Sequence, residues 1–282
     1  MERHIFKFGE GSTALILPKT WVSKSGLRAS DIVYLSESES GNLIVTARGT
    51  EKKSAEWAVD SKTSPTLIER RLGLHYMYGT ANLHIYSSDG FTTPQLDAIE
   101  KTVHGSCSGF EITTQTSKEV VIEDLTNIKE VNLEKIIMRL RSIVGQEFSE
   151  LESGNIGAIG KMEELINRFY MIGVRYINIT QASDFFRYFG VLEALEGIAD
   201  RLAFLSEEPS AKGINIFGIM HSQLDLAFTG FTGNVKVIEE VTGMRASILK
   251  KIPHRKIGRL DAYMLRNVTD LISDIAEFGL KL

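Results

Sequence analysis

The first 48 residues leave this chain the fewest ways to fold. They open with a strand-like alternation, Arg3, Ile5 and Lys7 on one face and His4, Phe6 and Phe8 on the other. A Gly9-Glu-Gly11 turn follows, then a short apolar run ending at Leu17. Pro18 suits the first helical position, where a missing N–H costs nothing, and Gly26 suits the position just past a helix end. The helix between them has about two turns, too few to stand alone in water. Two more strands, within Asp31–Ser36 and Gly41–Ala47, are expected to meet through a hairpin turn at Glu39–Asn42. The stretch has no cysteine pair and no obvious metal site. Units below about 50 residues rarely bury enough apolar surface to fold alone, so dimerisation is the expected remedy.

The order of these motifs is strand, Gly9-Glu-Gly-Ser12, Leu17-Pro-Lys19, Trp21-Val22, Gly26-Leu27, Asp31-Ile-Val33, hairpin. Over residues 3–48 it resembles the swapped-hairpin DNA-binding domain of the SpoVT–AbrB type. That resemblance implies that two chains interleave their hairpins into one β-barrel and read DNA as a homodimer. Contacts to DNA are then expected from Lys7, Ser12, Lys19 and Lys24, with Arg3 beside them. Charge agrees: residues 1–28 carry five basic and two acidic side chains, a net of +3, while the whole chain is −4. Doubling a basic end concentrates positive charge where phosphates are met. The alternative is ordinary surface on a domain that only dimerises.

At 282 residues the chain has room for two or three domains. It is 43% hydrophobic and 24% charged, too apolar for a disordered chain and too polar for a membrane protein. A single cysteine, Cys107, excludes an internal disulfide and reads as a bystander thiol. The start lacks a leader pattern, and no run of 18 apolar residues occurs. A soluble, cytoplasmic protein without membrane insertion is expected.

The expected domains are 1–50, the hairpin unit; 51–64, a polar linker interrupted by Trp57; 65–130, a small α/β segment; and two helical units, 131–208 and 209–282. In the middle segment, Pro65-Thr66 opens a helix over Leu67–Tyr78 that Gly79 ends. Asn82–Ser87 alternates like a strand, Thr93-Pro94 starts a second helix, and Phe110–Thr114 and Val120–Ile122 read as strands. From Val131 the pattern is helical. Its first seam is Leu133, Ile136/Ile137, Leu140, Val144, Phe148 and Leu151. The second runs Ile159, Met162, Ile166, Phe169, Gly173, Tyr176, and the third Leu192, Leu195, Ala199, Leu202, Leu205. Breaks are expected at 153–155, 181–184, 209–213, 230–233 and 253. They leave three more helices at roughly 214–231, 234–252 and 255–280.

Three helices, a break and three helices suggest a duplication. Leu195-Glu-Gly-Ile198-Ala-Asp200 can be laid over Leu265-Arg-Asn-Val268-Thr-Asp270. The segment Phe189–Arg201 also resembles the third helix of the PhoU family, which reports phosphate status. That resemblance implies a pair of three-helix bundles whose third helices carry Glu-x-x-x-Asp followed by His, and whose acidic pairs hold iron or other divalent ions. Carried onto this chain, the candidate ligands are Glu193, Glu196 and Asp200 in the first copy and Asp270, Asp274 and Glu277 in the second, for iron, zinc or magnesium. Carboxylate oxygens suit hard cations of this kind. The chain departs from the family where Arg201 replaces the His, Arg266 a Glu, and Asn167 an expected acid. The stripe points away from the Leu192–Leu205 seam, so it reads equally as a solvated face with Glu–Arg pairs.

Enzyme chemistry is not legible. Gly154–Lys161 misses P-loop spacing, lacks the Ser or Thr, and follows no strand; it reads better as a helix start capped at Ser153–Asn155. Six histidines show no metal-ligand spacing and no triad assembles. The aromatic run Phe185–Phe189 reads as core or partner contact. The expectation is an α+β multidomain regulator of transcription in phosphate uptake, the arrangement of these two families known in archaea. It comprises a dimeric swapped-hairpin barrel, a small α/β segment and a PhoU-like pair of three-helix bundles. The alternative is an adapter that does not bind DNA and docks on a phosphate transporter or signalling kinase.

Overall fold

The computed structural model describes residues 2–37, 41–47, 53–126, 128–180, 184–208, 216–234, 236–252 and 257–280. They form two compact units, Met1–Lys52 and Lys53–Leu282. The expected turn at Glu39–Asn42 and the breaks at 181–184, 209–213 and 253 lie wholly or partly outside the described residues.

In the first unit, β1 (Ile5–Phe8) and β2 (Ser12–Leu15) pair antiparallel, with Phe8 opposite Ser12 and Ile5 opposite Leu15. Gly9, at φ +69°, supplies the positive backbone angle their three-residue turn needs. Helix α1 (Lys19–Lys24) is one short stretch that stops as the Leu27 N–H bonds the Val22 carbonyl around Gly26, at φ +68°. A second hairpin pairs β3 (Tyr34–Glu37) with β4 (Leu43–Thr46). The expected strands and helix are therefore present. Within the chain the two hairpins remain separate two-stranded sheets, not closed into a barrel.

The second unit starts with a correction to the expected linker over 51–64. Residues Lys53–Val59 are strand β5, because Trp57 and Val59 alternate into the core and their backbone pairs in parallel with β6 (Thr80–Ser87). The Trp57 ring has His75 stacked on it at 4.9 Å and the Arg71 guanidinium 4.5 Å from its centre. The sheet has order β5-β6-β8-β7, in which β7 (Phe110–Gln115) and β8 (Glu119–Asp124) form an antiparallel hairpin on β6. Helices α2 (Pro65–Met77) and α3 (Thr93–Gly105) cover one face, burying Ile68, Leu72, Tyr76, Ile99 and Val103 against Leu83, Ile85, Val120 and Ile122. The Ser64 hydroxyl caps α2, and Gly79, at φ +80°, ends it.

Among the described residues six α-helices follow: α4 (Leu133–Ser153), α5 (Ile159–Thr180), α6 (Phe185–Glu207), α7 (Phe217–Phe231), α8 (Val237–Lys251) and α9 (Arg259–Glu277). Asn132 caps α4 and Gly154, at φ +77°, ends it at the expected break, but Ser153 and Asn155 bond back to Glu150 and do not cap the next helix start as expected. Each triplet packs internally; across them α4 meets α7 and α6 meets α9, and one apolar core runs through all six. The proposed overlay holds in burial, for Leu195, Ile198, Leu265 and Val268 are all fully buried. No described helix is long and apolar enough to cross a membrane.

A buried ion pair joins sheet to bundle. Arg175 of α5 donates to Asp124 at 2.5 Å and to the carbonyls of Tyr76 and Thr80, with its guanidinium over the Tyr76 and Phe110 rings. Burial at this junction pushes the Cys107 thiol up to about 12, so it stays a protonated packing group.

Candidate functional site

The seams of α6 and α9 face the same core, which turns their acidic flanks toward each other. Glu193, Glu196 and Asp200 of α6 and Asp274 of α9 line one cleft of about 430 Å³, walled by Phe189, Leu271 and Phe278. Four of the six expected carboxylates therefore share a site. The other two do not line it: Asp270 is held by the Arg245 guanidinium at 2.5 Å, and Glu277 acts on Asp274 only through its charge.

The cleft is a place of frustrated charge. Burial, followed by repulsion from Asp200 and Glu193, pushes Glu196 up to about 7. Burial also raises Asp200, and burial with Glu277 and Asp270 raises Asp274. Glu193 accepts a hydrogen bond from the Tyr170 hydroxyl. Arg201, standing where a His is expected, donates back to the Gly197 carbonyl at 2.5 Å and offsets Glu196 and Asp200. Among the described residues no three His, Cys, Asp or Glu side chains converge closely enough to hold an ion.

A deeper acidic group lies inside the first triplet. Glu147 of α4 is fully buried, and neither carboxylate oxygen has a hydrogen-bond partner among the described residues. Burial first, then the charges of Glu163 on α5 and Asp200 on α6, push it up to about 8. Glu163 is raised by burial and by Asp200. Each helix of the triplet thus contributes one carboxyl to a mutually repelling set. An uncharged carboxyl is the form such a site favours. The sequence analysis did not single out Glu147, yet its position carried a signal. It stands three residues after Val144 and four before Leu151, on the apolar seam of α4.

The residues expected to meet DNA are spread over the first unit. Lys7 is on β1 opposite Thr13, Ser12 begins β2, and Lys19 and Lys24 bound α1; Arg3 precedes β1. All five are exposed, and among the described residues none of the four cations has an ion-pair partner. Around them the surface is apolar to an unusual degree. Not one residue of 2–35, 37 and 41–47 is buried, and Ile32, Ile5, Phe8 and Leu35 are 73%, 69%, 68% and 61% exposed. The chain matches no protein-family model, no curated protein and no solved structure.

Proposed function

We propose that this protein is a homodimeric DNA-binding regulator of transcription in phosphate homeostasis, with residues 1–52 as the DNA-binding and dimerisation unit and the helical region as its sensor. The observation that carries the reading is the uncovered apolar surface of the first unit. Two hairpins and a six-residue helix that bury nothing have no source of stability within one chain. A second copy supplies it, by interleaving hairpins into a barrel as the SpoVT–AbrB resemblance implies. Pairing also doubles the basic set of Arg3, Lys7, Lys19 and Lys24 on an otherwise acidic protein, as phosphate contacts require.

The sensory role rests on the PhoU resemblance and is supported by two packed helix triplets whose third helices meet at an acidic cleft. A divalent ion there, whether iron, zinc or magnesium, would need Glu196, Asp200 and Asp274 to draw closer together than they stand and Arg201 to leave them. Regulation needs only that an effector bind one arrangement of the helices better than another.

Fluorescence anisotropy of the full chain on its own upstream DNA tests the reading. Sequence-preferring binding that weakens steeply with salt is expected, and replacing Lys7, Lys19 and Lys24 together by Gln should lower affinity by at least tenfold and flatten the salt slope. A dimer that binds no DNA, with function unharmed by those substitutions, would instead identify an adapter for a phosphate transporter or signalling kinase.

A further inference from the structure

A second concavity shares no lining residue with the acidic cleft. A groove of about 810 Å³ runs along α2, walled by α3 and α5. The three helices run in the same direction. Gln95, at the start of α3, bonds the Asp60 and Thr63 carbonyls just before α2, while the Ser108 carbonyl beyond α3 accepts the Tyr76 hydroxyl near the end of α2. A Cβ at Gly73 would touch Met171, and one at Gly79 would strike Ile179, so α5 keeps the same register alongside.

That common direction sorts the lining into two ends. By those levels Lys101, in the second half of α3, and Glu164, in the first half of α5, come level with Glu69 and Arg70 of α2, and Leu74, Met77 and Met171 lie farther along. The charged end holds two groups of each sign, and among the described residues none of the four has an ion-pair partner. The other end is mostly apolar, with Leu74 48% exposed, two flexible methionines beside it and Ser106 on its α3 side. Volume and mixed lining are those of a small-molecule site.

We propose that this groove binds a free α-amino acid with a large apolar side chain. An α-amino acid carries ammonium and carboxylate on one carbon, so its head meets Glu69 and Glu164 with one charge and Arg70 and Lys101 with the other. A simple anion would face two carboxylates, and a simple amine two cations. The side chain of the amino acid then covers Leu74, Met77 and Met171. The unit that holds the groove contains both helical triplets, so occupancy is available as an input to them. This inference stands whether or not the chain binds DNA.

Isothermal titration of the full chain with L-phenylalanine, 3-phenylpropionate and phenethylamine tests it. L-phenylalanine should bind once per chain, at least tenfold more tightly than the acid without the ammonium or the amine without the carboxylate. The double variant Arg70→Gln/Lys101→Gln, altered only at exposed positions, should keep its circular dichroism and lose at least tenfold in affinity for L-phenylalanine. The proposal is overturned if 3-phenylpropionate or phenethylamine binds as tightly as L-phenylalanine. It is overturned equally if the folded double variant binds unchanged, or if no heat is seen at millimolar L-phenylalanine.

Discussion

The two units of this chain solve the problem of burial in opposite ways. Residues 53–280 bury two apolar clusters, one between sheet and helices and one through six helices, and tolerate a buried ion pair and a buried carboxyl within them. Residues 2–35, 37 and 41–47 carry comparable apolar side chains and bury none. The difference lies in chain length per core, since two hairpins of four-residue strands cannot enclose what a helix triplet can. A unit with good hairpin and capping signals but no interior is half of a structure. Its stability should depend on protein concentration, and that of the larger unit should not.

The largest expected effect is in the larger unit. Arg175→Met leaves Asp124 buried without its cation and removes the donor to the Tyr76 and Thr80 carbonyls. Removing one partner of such a pair costs roughly 3–5 kcal/mol, which in a domain of this size lowers Tm by about 10 °C. Thermal unfolding should show this drop equally at low and high protein concentration; a drop that protein concentration offsets would erase the contrast between the units.

Next comes Phe8→Asp. On a truly solvated strand the change would matter by less than about 0.5 kcal/mol. Under a second copy it removes an aromatic side chain worth roughly 2–3 kcal/mol per protomer and adds a buried charge. Light scattering should find the wild-type chain dimeric and the variant monomeric at micromolar concentration. Two dimers would show that the first unit is not where the copies meet.

The smallest effect sharpens the comparison from inside the bundle. Glu147 is raised from 4.5 to about 8, so the folded state holds a proton that the unfolded state releases. Its contribution is fully present below pH 4.5 and is lost as pH rises toward 8, a difference of roughly 3 kcal/mol by neutral pH. Glu147→Gln keeps the shape without the titration, though its amide also lacks a partner. The variant should be more stable than wild type by roughly 1–2 kcal/mol at pH 8 and no more stable at pH 5. Denaturant unfolding across that range checks it; parallel pH profiles would remove Glu147 as the source.

Local rules made much of the fold legible. Apolar seams located α4 to α6, and expected breaks α7 to α9, within a few residues, and Pro65, Gly79, Gly154 and Gly26 marked ends where the structure has them. Strand β5 was missed because Lys53-Ser-Ala-Glu56 reads as polar connector, and its partner β6 comes only after an intervening helix. Glu147 could have been read from its place on the α4 seam. Arg175 was hidden for a different reason: α5 is apolar on two sides, toward the bundle and toward the sheet, and a single-seam reading treats the second side as surface. The groove was invisible because Arg70, Lys101 and Glu164 approach only once three separate helices are packed. Of the acidic cleft, the α6 stripe was legible, and its meeting with Asp274 was not.

The junction between Asp124 and Arg175 also sets a timetable for synthesis. The two residues are 51 apart in the chain, so at about 5–20 residues per second the acid is made roughly 3–10 s before the arginine. Through that interval Asp124, at the end of β8, has its bonds from the Thr126 N–H and hydroxyl but not the Arg175 guanidinium. That cation arrives only with α5, the second helix of the bundle.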